Sequence, residues 1–374
     1  MIIEVDRTGT VEGFKEILDN ILKNESIEGL FIFSCDKNNF TKKKLDYLLL
    51  DISIPIFGGI FPSIIYNSEV LENGTIISGL SSKPNIQLIP NLSSDTLDYD
   101  DVLEKAFPEV SNGKTMVVIV DGMSKRVNTL LESLFIVFGL ELKYFGGGAG
   151  SLDLIMKPCL FTNEGLMQDC AILALIDKEC GVGVRHGMKS IDGSYKITEA
   201  KGNTIYSLNW EPAFSFYKNI IEKHPKYDHK DKGFYGVDTH FALGINRLDA
   251  EKIVLEPLGV YEKNELLFSP EIKEGEFVDI LRTTPESSIK AAKNAFEVAK
   301  KMYKGKNPYK TTICFECTAR QQFLGGRFSE EVNAIYDGKT NLIGALTIGG
   351  EIANNGNDYL EYYNRTCIVA TFED

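Results

Sequence analysis

MVVIVDGMSKRVNTLLESLFIVFGLELKYFGGGAG, residues 116–150, reads as one complete α/β unit. Residues 116–120 are an unbroken apolar run, the pattern of a strand covered on both faces. Asp121-Gly122 is a turn, and residues 127–138 carry a helical pattern. Lys143-Tyr144-Phe145 begins a second strand that runs into Gly146-Gly147-Gly148-Ala149-Gly150.

The same order recurs on both sides. Upstream, Gly29-Leu30-Phe31-Ile32-Phe33-Ser34 is a buried strand, Thr41 opens a helix with Leu45, Leu48 and Leu49 inward, and a strand over residues 54–57 ends in Gly58-Gly59. Downstream, residues 311–315 form a strand and Cys317-Thr318-Ala319-Arg320 a turn. A helix with Val332, Ile335 and Tyr336 follows, and a strand over residues 342–348 runs into Gly349-Gly350. Three strand–turn–helix–strand–glycine units predict a repeat in topology, although residue identity between the copies is low.

Val11, Phe14, Ile17, Leu18, Ile21 and Leu22 mark a first helix, and Thr284-Pro285 caps a helix that buries Ile289, Ala292, Phe296, Ala299 and Tyr303. Further strands are expected over residues 75–80, 171–176, 182–185, 253–260, 277–281 and 367–372. The fold class is α/β: a two-domain β-sheet core covered by helices, a layered α/β sandwich built from repeated strand-turn-helix-strand units. The hydrophilic run EKHPKYDHKDKG, residues 222–233, is a loop by composition, with a domain boundary near or before it and residues 212–221 as a bridging helix.

Composition narrows the function. The chain has 374 residues, 43% hydrophobic and 25% charged, enough for two domains. A formal net charge of −13 disfavours nucleic acid as a partner. No apolar run reaches the roughly 18 residues of a membrane span, and the N-terminus lacks a secretory signal, so no membrane and a cytoplasmic location are expected. The seven cysteines lie mostly in apolar runs, where a reduced thiol is a small hydrophobe.

Catalytic motifs are weak. Gly113-Lys114-Thr115 and Gly338-Lys339-Thr340 lack the upstream glycine of a phosphate loop, and each precedes a strand where that loop follows one. Cys314-Phe315-Glu316-Cys317 is a C-x-x-C, but within a strand its thiols point to opposite faces, with Cys314 in the core. There is no G-x-S-x-G elbow, and no acid pair stands out. His224, His229 and Asp228 read as a surface cluster rather than a metal site. Arg185-His186 ends a strand, where His186 is either a hydrogen-bonded structural residue or a ligand residue. Gly147 and Gly148 either line a ligand through their backbone or allow close packing between sheets.

The strongest constellation is C-terminal. Cys317 and Arg320 follow one strand, Gly350 and Glu351 another, and Asn364 precedes the last. If the strands are neighbours, these groups converge at a sheet edge. A guanidinium and a carboxylate together suit a zwitterion such as an amino acid; the alternative is an Arg320–Glu351 salt bridge between turns.

These residues resemble the FIST family (F-box and intracellular signal transduction proteins) over about residues 25–372. In the N-terminal part the resemblance rests on Phe57-Gly58-Gly59-Ile60, Gly74, Asp121-Gly122, the glycine run at 146–150, Gly181-Val182-Gly183 and Ile197-Thr198-Glu199-Ala200-Lys201-Gly202-Asn203. Leu208-Asn209-Trp210-Glu211-Pro212-Ala213 leading to Tyr217 resembles the junction. Ile272-Lys273-Glu274-Gly275, Cys317-Thr318-Ala319-Arg320, Gly350-Glu351-Ile352 and residues 360–366 resemble the C-terminal part. Tyr363 departs from the histidine frequent in the family before the asparagine. The resemblance implies an N-terminal domain over 1–208, a C-terminal domain over 209–374, and a sensory role in signal transduction with small ligands such as amino acids. Some relatives bind haem.

The expected function is therefore a small-ligand-binding sensor without a cofactor. Its ligand-binding residues are Cys317, Arg320, Gly350, Glu351, Asn364, Gly147, Gly148, Arg185 and His186. Output passes to a separate signalling protein of kinase or chemoreceptor type. The alternatives are an enzyme with Cys317 as nucleophile, or a haem-based gas sensor using His186.

Overall fold

A computed structural model describes residues 1–108, 114–225, 239–247, 250–260, 264–354 and 359–373. His229, Asp228, Gly113 and most of the hydrophilic run at 222–233 lie outside the described residues. The fold is mixed α/β with several sheets. It divides into two compact units, Met1–Arg185 with Ala292–Asp374, and His186–Ala291. This partition differs from a division at 208/209, because Cys180–Arg185 pairs antiparallel with the C-terminal strand Cys367–Phe372 and draws that strand into the first unit.

The apolar runs become central strands. In the first unit, Gly29–Cys35 runs parallel to Ile56–Phe61, Lys114–Asp121 to Leu142–Ala149, and Thr311–Cys317 to Asn341–Thr347. Each pair sits in the middle of a six-stranded sheet. A parallel connection needs a crossover, which the helices Lys42–Leu49 and Val127–Phe138 and the pair Thr318–Leu324 and Phe328–Ile335 provide. In each sheet the first strand of the parallel pair has an antiparallel neighbour on its other side: Thr75–Leu80, Cys170–Ile176 and Cys367–Phe372. Phe315 lies 6.0 Å from Phe33, 6.2 Å from Phe61 and 6.3 Å from Phe145, centroid to centroid, so aromatic rings from all three sheets meet in one core.

Gly58, Gly59, Gly146, Gly147 and Gly148 do not end their strands, as the sequence pattern suggests, but lie inside them, whereas Gly349 and Gly350 follow the end of Asn341–Thr347. Gly148 donates its N–H to the Gly350 carbonyl at 2.9 Å and accepts from the Ile348 N–H at 2.9 Å. A Cβ on Gly148 would lie 1.8 Å from the Ile348 carbonyl oxygen, and one on Gly147 would lie 2.6 Å from Thr347 Cγ2. The glycine run is thus where two backbones touch. Glu351–Ala353 then joins the edge of Leu142–Ala149, with Glu351 opposite Gly147.

Two further readings change. Cys317-Thr318-Ala319-Arg320 is a strand end passing directly into the helix Thr318–Leu324, not a turn. Residues 253–260 form two short strands, Ile253–Leu255 and Gly259–Val260. Thr10 caps the helix Val11–Leu22 by accepting from the Gly13 N–H at 3.0 Å.

The second unit is built on an eight-stranded sheet that includes the long strand Lys189–Lys201. The helix Ala213–Ile221 buries Tyr217 and Ile221 in a core with Ile197, Phe241, Leu243 and Ile280. No helix among the described residues is long and apolar enough to cross a membrane.

Gly148→Ala must push two hydrogen-bonded backbones apart, and it is expected to cost about 3 kcal/mol, near the upper end of overpacking penalties. At Gly259 an added Cβ meets no described atom within 4 Å, so Gly259→Ala is expected to be close to neutral. Chemical denaturation of both variants measures the contrast.

Candidate functional site

The strand Thr311–Cys317 carries an acidic residue, Glu316, that is completely buried. At Cys317 the chain enters the helix Thr318–Leu324, whose first turn places Arg320 beneath the strand end. Arg320 is 2% exposed. Its Nε and Nη2 donate to the two carboxylate oxygens of Glu331 at 2.9 and 2.8 Å, a bidentate fork. Nη1 donates to the Arg365 carbonyl at 3.1 Å, and Nε also lies 3.2 Å from Glu316 Oε2. Glu331 comes from the buried face of the helix Phe328–Ile335. The fork that the sequence offers to a ligand carboxylate is therefore taken by a carboxylate of the protein.

Glu351 sits at the start of its strand, also fully buried. Its Oε2 accepts from the Thr366 N–H at 3.2 Å, and its Oε1 is in short contact with the Thr347 hydroxyl. The Cys317 thiol hydrogen-bonds to the same carboxyl group. Thr347 Oγ1 also lies 3.1 Å from the Glu316 carbonyl oxygen. A hydroxyl has one proton. It can serve both oxygens only if one of them supplies a proton in return, and a protonated Glu351 does so.

Electrostatics agree with that reading. Burial pushes the Glu351 carboxyl up from its ordinary value to about 8, against the pull of Thr347, Thr366, Cys317 and the positive Arg320. Glu316 is driven well upward, first by burial and then by repulsion from Glu331; beyond Arg320, the buried Cys367 thiol is its weak donor. For Arg320, burial opposes the charge, but Glu331 and Glu316 outweigh it and hold the guanidinium more firmly charged.

The predicted residues divide into groups. Cys317, Glu351, Gly147, Gly148 and Gly350 come together at the strand ends, above Arg320. Asn364 is tied to them through its backbone: its carbonyl accepts from Thr366 Oγ1 at 2.7 Å, and the Thr366 N–H donates to Glu351. Cys317 is the one cysteine of seven that is not fully buried. Arg185 ends its strand opposite Cys367, with Nη1 on the Val184 carbonyl at 2.6 Å. His186 belongs to the other compact unit, where both ring nitrogens are engaged. Nδ1 accepts from the Met188 N–H at 2.9 Å, and Nε2 lies 2.9 Å from Glu251. Haem ligation by His186 would have to break one of these contacts.

Four participants have no role in the sequence reading: Glu316, Glu331, Thr347 and Tyr362. Two have a legible signal. Glu316 interrupts an apolar strand, and Glu331 stands on the stripe Phe328, Glu331, Val332 and Ile335, where a charge needs a buried partner. The Tyr362 hydroxyl and the Asn364 side-chain nitrogen are buried atoms without a hydrogen-bond partner among the described residues. The acidity of Tyr362 is suppressed by burial and then by nearby Glu351, Cys317 and Asp121.

Comparison with known proteins places this geometry in context. The FIST N domain matches residues 31–211, and the FIST C domain matches residues 213–354. The chain is also similar to the uncharacterized protein MJ1623 of Methanocaldococcus jannaschii, at 24% identity over 220 residues. That match covers 53% of this chain and 40% of the relative.

Glu351 gives a signed pH prediction. Its folded value of about 8 lies above its ordinary 4.5, so the stability it contributes is full below about pH 4.5 and is lost as pH rises through 8. Glu351→Gln keeps the contacts to Thr347 and Thr366 without the titration. Its Tm is expected to fall less than that of the parent between pH 5 and 8; parallel Tm curves would show that Glu351 is ionised throughout.

Proposed function

The chain belongs to the FIST family, and from that premise we propose that it is a small-ligand-binding sensory protein of intracellular signal transduction, with amino acids as the ligand class. FIST domains are associated with sensing in signal transduction, and the relative from Methanocaldococcus jannaschii carries no assigned role. The observation that carries the reading is a pair of unpartnered buried atoms, Tyr362 Oη, close to Glu351 and Cys317, and Asn364 Nδ2 two residues further along the chain. A buried polar atom without a partner costs about 1–3 kcal/mol. A ligand bearing both a donor and an acceptor offsets that cost, which is a reason for the atoms to be there.

In this proposal Cys317, Glu351 and Asn364 touch the ligand, and the backbone at Gly147, Gly148 and Gly350 shapes the wall. Arg320 acts from beneath, by fixing the charge of the floor through Glu331 and Glu316. A protonated Glu351 presents a neutral hydrogen-bonding carboxyl, and its ionisation would favour an ammonium group. The site lies at the carboxyl ends of the parallel pairs Lys114–Asp121 with Leu142–Ala149 and Thr311–Cys317 with Asn341–Thr347, where ligands of open α/β sheets bind. The three crossover units are proposed as copies of one helix-covered layer. The output is a separate cytoplasmic partner of kinase or chemoreceptor type.

A thermal-shift screen with single amino acids tests the reading. A cognate ligand at about 100 times its Kd is expected to stabilise the protein by about 2.7 kcal/mol, and Asn364→Ala is expected to abolish that shift. No shift with any amino acid contradicts the ligand class, and an undiminished shift in Asn364→Ala contradicts the site.

A further inference from the structure

The unit His186–Ala291 contains a second feature that the polar cluster does not use. A hollow of about 530 Å³ opens between the helix Ala213–Ile221 and the turn that follows Thr204–Leu208. That volume lies within the range of small-molecule sites. On the helix side, Phe216, Asn219, Ile220 and Lys223 follow i, i+3, i+4 and i+7 spacing and form one stripe. On the other side stand Tyr195, Asn209 and Trp210.

Trp210 is the single tryptophan of the chain and is 79% exposed. A large aromatic surface left in water is unfavourable unless something covers it. Asn209 and Trp210 both have left-handed dihedrals, φ 48° and 64°, which non-glycine residues adopt at a cost. The turn is also locked. Asn209 N–H donates to the Lys196 carbonyl at 2.9 Å, Lys196 N–H to Asn209 Oδ1 at 2.9 Å, and Trp210 N–H to Thr198 Oγ1 at 2.9 Å. The indole is therefore carried on a turn whose backbone is fixed by three hydrogen bonds. Within the lining, Tyr195 and Phe216 meet edge to face, with centroids 4.7 Å apart at 82°.

The chemistry of the lining selects a class of ligand. The indole offers a flat face for stacking. Asn209 has its side-chain N–H2 to donate, since its oxygen is bonded to Lys196, and Asn219 offers both donor and acceptor on an exposed helix position. Glu211 and Lys223 line the hollow with opposite charges, which disfavours a simple cation as much as a simple anion. We infer that this hollow binds a flat nitrogen heterocycle of purine type, stacked on Trp210 and read at its polar edge by Asn209 and Asn219. Stacking of such rings on aromatic side chains is a general recognition mode. The site is independent of the carboxylate cluster and of amino-acid binding.

Because Trp210 is the sole tryptophan, fluorescence of the full chain reports on this hollow alone. Titration with adenosine, a neutral purine nucleoside, is expected to quench the emission to saturation. Asn219→Leu, checked for folding by circular dichroism, is expected to weaken the apparent Kd at least tenfold. Unsaturable quenching, equal to that of a free tryptophan amide, overturns the proposal. So does saturable quenching by choline with none by adenosine, or an Asn219→Leu variant that binds as tightly as the parent. A thermal shift with an amino acid and no saturable tryptophan signal with adenosine would leave the sensory reading standing and remove this second site. The reverse result would remove the first and keep the second.

Discussion

The buried Arg320–Glu331 pair is the contact on which the C-terminal architecture depends. One guanidinium joins the helix after Cys317, the helix containing Glu331 and the Arg365 carbonyl before the last strand. Such a pair adds little net stability compared with apolar packing, because both charges lose their hydration. Its effect is on specificity. Once the fork is closed on Glu331, a second and a third buried carboxylate, Glu316 and Glu351, have only part of one cation to balance them. Burial drives both toward the protonated form, and the part of one cation left to them does not offset it. The hydrogen bond between Thr347 and a protonated Glu351 follows from that burial, and so does the neutral, hydrogen-bonding character of the strand ends.

A second constraint brings these strands together. Without side chains at Gly147 and Gly148, the backbone at Ile348–Gly350 can reach the edge of Leu142–Ala149 and continue its sheet with Glu351–Ala353. A segment near the end of the chain thus completes a sheet begun more than two hundred residues earlier. Glu351 enters the core opposite a glycine, with room for its carboxyl to turn toward Cys317 and Thr366. The packing of Phe315 against Phe33, Phe61 and Phe145 fixes the same junction from the apolar side.

Much of this was legible in the sequence. The apolar runs at 29–34, 116–120 and 311–315 mark the three central strands, because a strand covered on both faces needs no polar alternation. The helices at 11–22, 127–138 and 285–302 follow from spacing and caps. The residues that follow the buried strands at Cys317 and before Glu351 mark two strand ends that meet, the Cys317 thiol bonding to Glu351, although the expected turn at Cys317 is the start of a helix. What sequence pattern missed has physical causes. Glu331 is the partner of Arg320 rather than Glu351, and such a pairing depends on which helix folds beneath the strand, a tertiary fact. Lys189–Lys201 shows no apolar run, because most of its residues face solvent and its pairing is broken by register shifts. The glycines look like strand terminators because glycine is common in turns; inside a strand they mark backbone contact instead.

A double-mutant cycle on the buried pair tests the central claim most directly. Arg320→Met, Glu331→Leu and the combined variant are unfolded in denaturant under one set of conditions. Each single change leaves a buried charge uncompensated and is predicted to cost about 3–5 kcal/mol, while the combined variant loses much less than the sum. Additive losses would contradict the account, since they would mean that Arg320 and Glu331 do not depend on each other in the folded protein.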